Sequence, residues 1–593
     1  MISFPKPDIE QFFQAYTILN FAISKDEKKL IFSSNLNGKF NLWALDLPNN
    51  YPYPLSFNNQ MSNFIKIDSH NRFVLTSFDN DGDENFHIYA LPVNGGKPVP
   101  VLTGNKHKYY FAKLTADGER LYYTTSKDNP NYLNIHSYNL KTEVDTVLIK
   151  GQETIIELLD VSPDEKSFAY IKEYSNTYAV GYIRTGQEEI RLTPQNEKEH
   201  NLTDFIFADN YLGYFITNFD DNFSYLASFN MKSGEFKPLL KIKQESIKHI
   251  KWQKTEKAIY IVTEKGVSDF LYRYDVNSET LTKIKTPVAS IEQLEVTENG
   301  NIYLLGHHST NPLNIFQRTS EGWFNITNNR LLGISENEMV APEVVYYNSY
   351  DNIQIEALLY RAKPEVDNGY TIFWPHGGPQ EVERISFKGL FQYLLAYGYS
   401  IFAPNFRGSS GYGASFSKMV EGDWGKGPRL DCIYGIEWLF KEYISERDKL
   451  FVLGGSYGGY MALLLAGKHP EYFRAVIDIF GPSNLFTFVD SIPEHWKPII
   501  KRLIGDPVKD KEKLTKDSPI TYLENMTKPM LVIQGANDPR VVKAESDQIV
   551  AELKKRKVDV EYLVLEDEGH GLSKLENKIK VYRLILDFLE RHR

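Results

Sequence analysis

Residues 20 to 320 repeat one pattern of strands and turns, and this repeat constrains the fold more than any other feature of the chain. Stretches such as AISKDEKKLIFSS, LTADGERLYYTT and VSPDEKSFAYI each combine a strand, a polar turn and a second strand rich in aromatic residues. The turns recur every 43 to 47 residues, at Asp26, His70, Asp117, Asp164, Asp209, Glu256 and Asn299. A strand-only repeat of this length is typical of a four-stranded propeller blade, so seven turns predict a seven-bladed β-propeller. The alternative is an irregular all-β domain with evenly spaced turns.

The pattern changes near residue 340. Short apolar strands such as TIFWPHGG, SIFAPNF, LFVLGG and PMLVIQG then alternate with segments of helical periodicity. Such alternation predicts a mostly parallel sheet that is covered by helices on both faces. We therefore expect two domains, residues 1–340 and residues 341–593, with about the first 15 residues packed on the second domain.

Composition limits the classes of function. A chain of 593 residues is too long for one hydrophobic core, and a net charge of −10 argues against nucleic acid or an anionic membrane as a partner. The single cysteine, Cys432, excludes an internal disulfide, and the first residues lack a signal-peptide pattern, so we expect a cytoplasmic location. No H-E-x-x-H or paired-cysteine motif is present, so we expect no metal and no cofactor.

The stretch LFVLGGSYGGYMALLLAGKH places one serine in a G-x-S-x-G motif between a strand and a helix. This is the pattern of a nucleophile elbow, a turn so tight that the serine adopts a strained backbone conformation above the sheet. Gly454 and Gly458 would remove the side chains that collide with the neighbouring helix and strand. The motif therefore predicts Ser456 as a nucleophile and residues 341–593 as an α/β-hydrolase domain.

A serine hydroxyl needs a base to remove its proton, and in this architecture the partners follow in the order Ser, acid, His. The strand PMLVIQG ends in ANDPR, which places Asp538 at a carboxyl end of the sheet, and the next strand leads to His570. We expect Ser456 to attack a carbonyl, His570 to transfer the proton and Asp538 to orient the imidazole.

Other residues compete for these roles. Asp478 also lies near a strand end, but one strand earlier, and Asp567 and Glu568 are too close to His570 along the chain to reach its ring. There are also two rival histidines. His376 precedes Ser456, against the expected order, and His469 lies at the end of the helix after the elbow.

Stabilisation of an oxyanion requires two hydrogen-bond donors. One should be the backbone N–H of Tyr457, directly after the nucleophile, and the other should come from the loop PHGGPQ after an early strand. Gly377 and Gly378 would let this loop approach a substrate closely.

Six motifs together resemble the prolyl oligopeptidase family of serine peptidases, and the branch that they resemble most is that of the acylaminoacyl peptidases. They are HGGP at 376, NFRGSSGYG at 405, GGSYGGY at 454, SPI at 518, GANDPRV at 535 and EDEGHG at 566. The resemblance implies Ser456, Asp538 and His570 as a triad and the N–H groups of Gly378 and Tyr457 as oxyanion donors. His376 stands where other branches have a tyrosine that serves the oxyanion, which favours backbone donors here.

The resemblance also implies how a substrate would bind. Arg540 would bind a substrate carbonyl near the cleaved bond, and the segment FGPSNLFTFVDSIPEHW would line an apolar pocket through Phe486, Phe488, Ile492 and Trp496. In this family the propeller caps the site, so the substrates would be short peptides. Family members often assemble through sheet edges, which favours a homo-oligomer.

Three peptidase activities stay open: release of an N-acylated residue, release of dipeptides and internal cleavage of short peptides. Dipeptide release requires carboxylates that pair with the free amino terminus, because an unpaired ammonium ion is costly to bury. Glu188 and Glu189 are candidates, but EEIRLTP is more typical of a strand that enters a turn, so acylaminoacyl or oligopeptide cleavage is preferred. A carboxylesterase with the same triad and a catalytically silent binding module are the remaining alternatives.

Overall fold

The structure, a computed structural model, describes residues 6–104, 106–196 and 198–593. Seven four-stranded antiparallel sheets follow one another along the first part of the chain and form a seven-bladed β-propeller. The strands, blade by blade, are β1–β4 (Ile18–Ile23, Lys29–Ser34, Asn41–Asp46, Tyr53–Pro54), β5–β8 (Ile65–Ile67, Phe73–Phe78, His87–Pro92, Val99–Leu102), β9–β12 (Tyr109–Leu114, Arg120–Thr125, Asn134–Asn139, Asp145–Lys150), β13–β16 (Ile155–Val161, Ser167–Ser175, Tyr178–Thr185, Glu188–Arg191), β17–β20 (Leu202–Phe207, Leu212–Thr217, Tyr225–Asn230, Glu235–Leu240), β21–β24 (Ser246–Gln253, Ala258–Lys265, Ser268–Asp275, Thr280–Ile284) and β25–β28 (Ser290–Val296, Ile302–His308, Asn311–Thr319, Gly322–Asn325). The predicted seven-bladed propeller is confirmed.

Each of the seven predicted turns joins the first and second strands of a blade. The first strands contact one another around the centre of the ring, so they are the innermost strands. A separate apolar cluster fills each of the seven interfaces between neighbouring blades. Flat aromatic rings such as Phe205 and Phe215, which stack with centroids 6.1 Å apart, pack well between pleated sheets and explain the high aromatic content.

The first and last blades meet without a shared strand, because every blade consists of four consecutive strands. Side chains make this junction. Gln293 of β25 accepts a hydrogen bond from the backbone N–H of Phe21 at 2.9 Å and donates one to its carbonyl at 2.8 Å. Glu27 of the first blade accepts hydrogen bonds from the amides of Asn299 and Asn301 in the last blade.

An eight-stranded sheet forms the centre of the second part of the chain, with strand order β29-β30-β32-β31-β33-β34-β35-β36. The strands are β29 (Glu343–Asn348), β30 (Gln354–Tyr360), β31 (Thr371–Phe373), β32 (Ser400–Pro404), β33 (Leu450–Gly455), β34 (Val476–Ile479), β35 (Met530–Gly535) and β36 (Val560–Leu565). The α-helices within the described residues are α1 (Ile9–Phe12), α2 (Gly389–Ala396), α3 (Ala414–Ser417), α4 (Gly427–Lys441), α5 (Tyr457–Lys468), α6 (Leu485–Ser491), α7 (Lys497–Ile504), α8 (Lys511–Asp517), α9 (Lys543–Lys555) and α10 (Leu575–His592). This is the expected α/β-hydrolase architecture.

Alternate residues of the central strands point to opposite faces of the sheet and fill two apolar cores. Val452 of β33 and Val532 of β35 belong to the core on one face, whereas Leu453 and Ile533 belong to the core on the other. Because both faces are covered, the strands read as continuous apolar runs.

Helix α1 precedes the propeller in the chain but packs on the hydrolase domain. Its N-terminus carries a reciprocal capping box between Asp8 and Gln11. Ile9 and Phe12 are buried in the core that contains residues of α2 and α10. The expectation for the first 15 residues extends to residues 1–5, which lie outside the described residues. None of the helices in the described ranges is long and apolar enough to cross a bilayer.

The buried contact of α1 makes a testable contribution to stability. Ile9 is 0% exposed, so we expect Ile9→Ala to lower the free energy of unfolding by about 2–5 kcal/mol and Ile9→Val by about 1 kcal/mol. Denaturant midpoints of the three proteins measure the effect. Equal midpoints for wild type and Ile9→Ala would show that α1 does not stabilise the folded state.

Candidate active site

Ser456 lies in the turn between β33 and α5, and its backbone is strained. Its φ is 56° and its ψ is −122°, a region that residues with a side chain rarely occupy. The backbone N–H of Ser456 donates to the carbonyl of Ile479 at 2.9 Å, which ties the turn to the neighbouring strand. The turn therefore holds the hydroxyl beyond the end of the sheet.

The glycines of the motif are required by backbone contacts. A Cβ on Gly454 would lie 2.2 Å from the carbonyl oxygen of Gly458, and a Cβ on Gly458 would lie 2.1 Å from that of Pro375. A Cβ on Gly459 would lie 2.3 Å from Oδ1 of Asp478. Helix α5 can thus approach the loop after β31 and the end of β34 only without these side chains.

The structure brings the three predicted triad side chains together from three loops. Ser456 Oγ donates a hydrogen bond to His570 Nε2 at 2.9 Å, and His570 Nδ1 donates to Asp538 Oδ2 at 2.6 Å. Oδ1 of Asp538 accepts from the backbone N–H groups of Arg540 and Val541, both at 2.9 Å. With these donors the buried carboxylate is hydrogen-bonded at both oxygens, and it fixes the imidazole tautomer that leaves Nε2 free to accept a proton.

The rival acids occupy other places. Asp478 is buried beneath the turn, where it accepts only the N–H of Gly481, and burial raises its pKa to about 8. Asp567 pairs with Lys574 at 2.6 Å. The carboxylate of Glu568 accepts the backbone N–H groups of residues 573 and 574, so it shapes the loop that carries the histidine.

The rival histidines have structural partners. His376 is buried and stacks on Phe406 with ring centroids 4.2 Å apart. Its Nδ1 donates to the carbonyl of Gly377 at 2.7 Å, its Nε2 lies 2.8 Å from Ser409 Oγ, and burial lowers its pKa to about 4. The neutral ring therefore braces the glycine loop. Burial, followed by Arg429, lowers the pKa of His469 at the end of α5 to about 4.

The glycine loop, residues 375–378, lies directly against Ser456. A Cβ on Gly377 would be 3.6 Å from Cβ of Ser456, and both Gly378 and Tyr457 line the same cavity as the serine. The side chain of Tyr457 is buried, and its hydroxyl donates to the carbonyl of Trp424 at 2.6 Å. Only the backbone of this tyrosine can therefore serve a ligand in the cavity.

A cavity of about 370 Å³ lies between the propeller and the hydrolase domain and contains Ser456 and His570 in its wall. This volume is within the range of small-molecule sites. Of the predicted pocket residues, Phe488, Ile492, Trp496 and Arg540 line it. Apolar residues that the sequence did not single out complete the wall: Trp424, Ile499, Ile500, Leu503 and Val541.

The expectation for Phe486 requires correction. This residue is absent from the wall of the cavity and instead packs, half-buried, against the apolar core of the domain. Two residues on an α-helix differ by about 200°, so α6 directs Phe486 away from the side on which it presents Phe488.

The propeller contributes Ile155, Glu173 and Asn176 to the cavity wall, and sequence reasoning missed all three. Glu173 of β14 pairs with Ile155 of β13, and these are the two inner strands of the fourth blade. The sequence offered one signal for this part of the blade: Glu157 in IIELLD is a charged residue on the innermost strand, which faces the centre of the ring.

Two carboxylates meet in this blade without a basic partner. Burial, followed by the neighbouring Glu157 carboxylate, raises the pKa of Glu173 to about 7. Glu157 is exposed to solvent, and it lies close enough for its charge to act on Glu173. Neither carboxylate has an ion-pair or hydrogen-bond partner among the residues that the structure describes, so Glu173 in its ionised form brings a negative charge to the cavity wall that no basic side chain pairs with.

Arg540 is held by the propeller. Its Nε donates to the two carboxylate oxygens of Glu84 at 2.8 and 3.1 Å, and its guanidinium lies 5.8 Å from the ring centre of Trp496. The carboxylate fixes one side of the guanidinium, which leaves the other donors of this planar group for a ligand.

The candidate amine-binding residues Glu188 and Glu189 lie on the outer strand β16 and do not line the cavity. Glu189 pairs with Lys172 at 2.8 Å and accepts a hydrogen bond from Tyr170. These positions agree with the expectation that Glu188 and Glu189 belong to a strand of the blade and do not bind an amine. Within the described ranges, no three His, Cys, Asp or Glu side chains are grouped as metal ligands.

Comparisons with known proteins agree with this architecture. The family model described as the prolyl oligopeptidase family matches residues 385–593. A dipeptidyl peptidase family member 6 from Caenorhabditis elegans is 27% identical over 577 residues, which cover 87% of this chain and 77% of that protein. A dipeptidyl aminopeptidase BIII from Pseudoxanthomonas mexicana is 40% identical over 207 residues, 34% of this chain and 30% of that protein.

Other matches extend the range of activities and confirm the fold. An acylamino-acid-releasing enzyme from Arabidopsis thaliana is 30% identical over 233 residues, 37% of this chain and 30% of that protein. The structure of a puromycin-hydrolyzing peptidase from Mycobacterium tuberculosis superposes with a TM-score of 0.85, at 16% identity, over 100% of this chain and 96% of that one. At this identity the likeness establishes the fold alone.

The close contact at Gly458 predicts a defect that is local to the site. Gly458→Ala would push the 375–378 loop away, so we expect kcat to fall by about 10²-fold or more. Gly571→Ala is the matched control, because a Cβ there meets nothing within 4 Å although the residue follows His570. Steady-state kinetics and thermal unfolding of both variants test this. Full activity in Gly458→Ala would contradict the role of the close backbone approach.

Proposed function

We propose that this chain is a serine peptidase of the prolyl oligopeptidase family and that it cleaves short peptides that carry a free amino terminus. Ser456, His570 and Asp538 act as its triad. The observation that carries the finer part of the proposal is Glu173, which lines the cavity that contains Ser456 and whose carboxylate has no ion-pair or hydrogen-bond partner among the described residues.

The reaction follows from the hydrogen bonds of the triad. Ser456 Oγ attacks the peptide carbonyl carbon while His570 Nε2 accepts its proton, and Asp538 stabilises the imidazolium. The N–H groups of Gly378 and Tyr457 receive the oxyanion. His570 then protonates the leaving amine, and a water molecule releases the acyl group by the reverse sequence.

The walls of the cavity define the substrate. Phe488, Ile492 and Trp496 favour an apolar side chain before the cleaved bond, and Arg540 binds a carbonyl oxygen of the substrate. The propeller covers the site, which restricts access to short chains.

The amino terminus of the substrate is the group that the negative site fits best. An ammonium ion is costly to bury unless it is paired, and a partly buried carboxylate beside a second carboxylate, without a basic partner, is also unfavourable. Pairing Glu173 with an ammonium ion removes both penalties. The Caenorhabditis elegans and Pseudoxanthomonas mexicana relatives, named as dipeptidyl peptidases, agree with this assignment.

Acylaminoacyl cleavage is the second candidate, because a protonated Glu173 can donate a hydrogen bond to an acyl carbonyl. The raised pKa of Glu173, about 7, keeps this form available near neutral pH. The likeness to an acylamino-acid-releasing enzyme also favours this candidate. A carboxylesterase is less favoured, since a small ester has no need of a charged site in the propeller.

The nucleophile is tested first. We expect Ser456→Ala to lower kcat by roughly 10⁴- to 10⁶-fold and to abolish covalent labelling by a fluorophosphonate. Activity is measured on a peptide library by mass spectrometry, with circular dichroism as the control for folding. Retention of more than a tenth of the activity would refute the assignment of Ser456.

The amine site is tested with matched peptides that have free or acetylated amino termini. We expect Glu173→Gln to lower kcat/KM for the free peptides by about 10- to 100-fold, the range of one charge-assisted hydrogen bond, and to spare the acetylated ones. Glu188→Gln, in the same blade but outside the cavity, is the control and should behave as wild type. Preferred turnover of acetylated peptides by wild type would favour the second candidate.

The kcat/KM for the free peptide divided by that for the acetylated peptide isolates the effect of Glu173, because the triad contributes equally to both values. This ratio should rise as pH increases through about 7, where Glu173 ionises, and fall above about 8, where the substrate amine loses its proton. Glu173→Gln should abolish the rise. A flat ratio in wild type would remove the basis for ammonium recognition.

A further inference from the structure

A second cavity of about 340 Å³ lies between the N-terminal segment, the propeller and the hydrolase domain. It shares no lining residue with the cavity that contains Ser456. Its wall is largely aromatic, with rings that include Phe13, Tyr16, Trp374, Phe387, Phe391 and Tyr582. Such a wall fits the apolar body of a small molecule.

Two polar side chains of α10 line this cavity, one helical turn apart. Lys578 and Tyr582 are spaced i, i+4 and therefore share a face of the helix. Neither the ammonium of Lys578 nor the hydroxyl of Tyr582 has a hydrogen-bond or ion-pair partner within the described residues. Burial lowers the pKa of Lys578 and raises that of Tyr582 to about 12.

Lys578 forms no ion pair with the acidic residue whose charge acts on it, among the residues that the structure describes. Glu568 is the acidic residue whose charge acts on it, but that carboxylate already accepts hydrogen bonds from Ser573, Lys574 and Asn577. The other lysine of the cavity differs: Lys388 bonds to Glu383 at 2.6 Å and lies over the rings of Trp374 and Phe391. The cavity thus presents one cation without an anion.

We propose that this cavity binds a small carboxylic acid with an aryl or short alkyl body. Lys578 and Tyr582 each donate to one carboxylate oxygen, and the aromatic wall covers the apolar body. Two adjacent donors match the two oxygens of a carboxylate, and the ammonium gains the counter-ion that it lacks. The proposal does not depend on the peptidase assignment.

The position of the cavity relates it to the active site. Trp374 immediately precedes the 375–378 loop that lies against Ser456, and its indole N–H donates to Glu383 at 3.0 Å. Helix α10 begins five residues after His570. A ligand held between Trp374 and α10 therefore contacts the two segments that carry the glycine loop and the histidine.

Isothermal titration of the full chain with 4-phenylbutyrate tests the proposal. We expect saturable binding of one molecule, weakened at least tenfold by Lys578→Met and measurably by Tyr582→Phe. Lys580→Met, an exposed lysine of the same helix, is the matched control and should bind as wild type. The neutral analogue 4-phenylbutan-1-ol should bind at least tenfold more weakly than the acid.

Three results would overturn the proposal: no saturable binding at millimolar concentrations, equal affinity of wild type and Lys578→Met, or equal affinity for acid and alcohol. Binding that survives Lys578→Met would belong to another site, such as the cavity beside Arg540. Circular dichroism establishes that the variants fold, and Tyr582→Phe keeps the test decisive if Lys578→Met does not fold, because loss of a single hydroxyl leaves the packing of α10 intact.

Discussion

The tight turn at Ser456 is the constraint on which the rest of the site depends. Helix α5 approaches the loop after β31 so closely that a single Cβ on Gly458 would lie 2.1 Å from a carbonyl oxygen. This approach brings the backbone N–H of Tyr457 and the glycine loop to the same side of the serine. The strain in the serine backbone is sustained by the sheet beneath it, through the hydrogen bond to Ile479, so stability of the core and geometry of the nucleophile are linked.

The propeller does more than cover this site. It supplies Glu84, which orients Arg540, and it supplies Glu173, which lines the cavity and has the carboxylate of Glu157 as a neighbour. Further polar bonds join the two domains, among them that of Arg384 to Asp269 at 2.6 Å. The wall of the cavity is therefore divided: the hydrolase domain contributes Ser456 and His570, and the propeller contributes Ile155, Glu173 and Asn176.

Features with a local cause could be predicted from the sequence. Each propeller turn needs its own polar residues, and the elbow needs its glycines, so both leave a direct pattern. The cavity residues of the propeller could not be predicted, because the repeat does not say which end of an inner strand faces the hydrolase domain; Glu188 and Glu189 were considered and Glu173 was not. Phe486 was misplaced for a related reason, since its direction depends on the start of a short helix, which the sequence leaves uncertain by more than one residue.

The junction of the first and last blades has a mechanical consequence. Elsewhere around the ring the chain itself joins one blade to the next, but here, among the described residues, the edges are held by an apolar cluster and by hydrogen bonds of side chains such as Gln293 and Glu27. Separation at this seam would break no backbone ladder within a sheet. The ring is therefore closed by side-chain contacts at this junction. If the propeller widens, we expect its first and last blades to separate there before any other pair of neighbouring blades does.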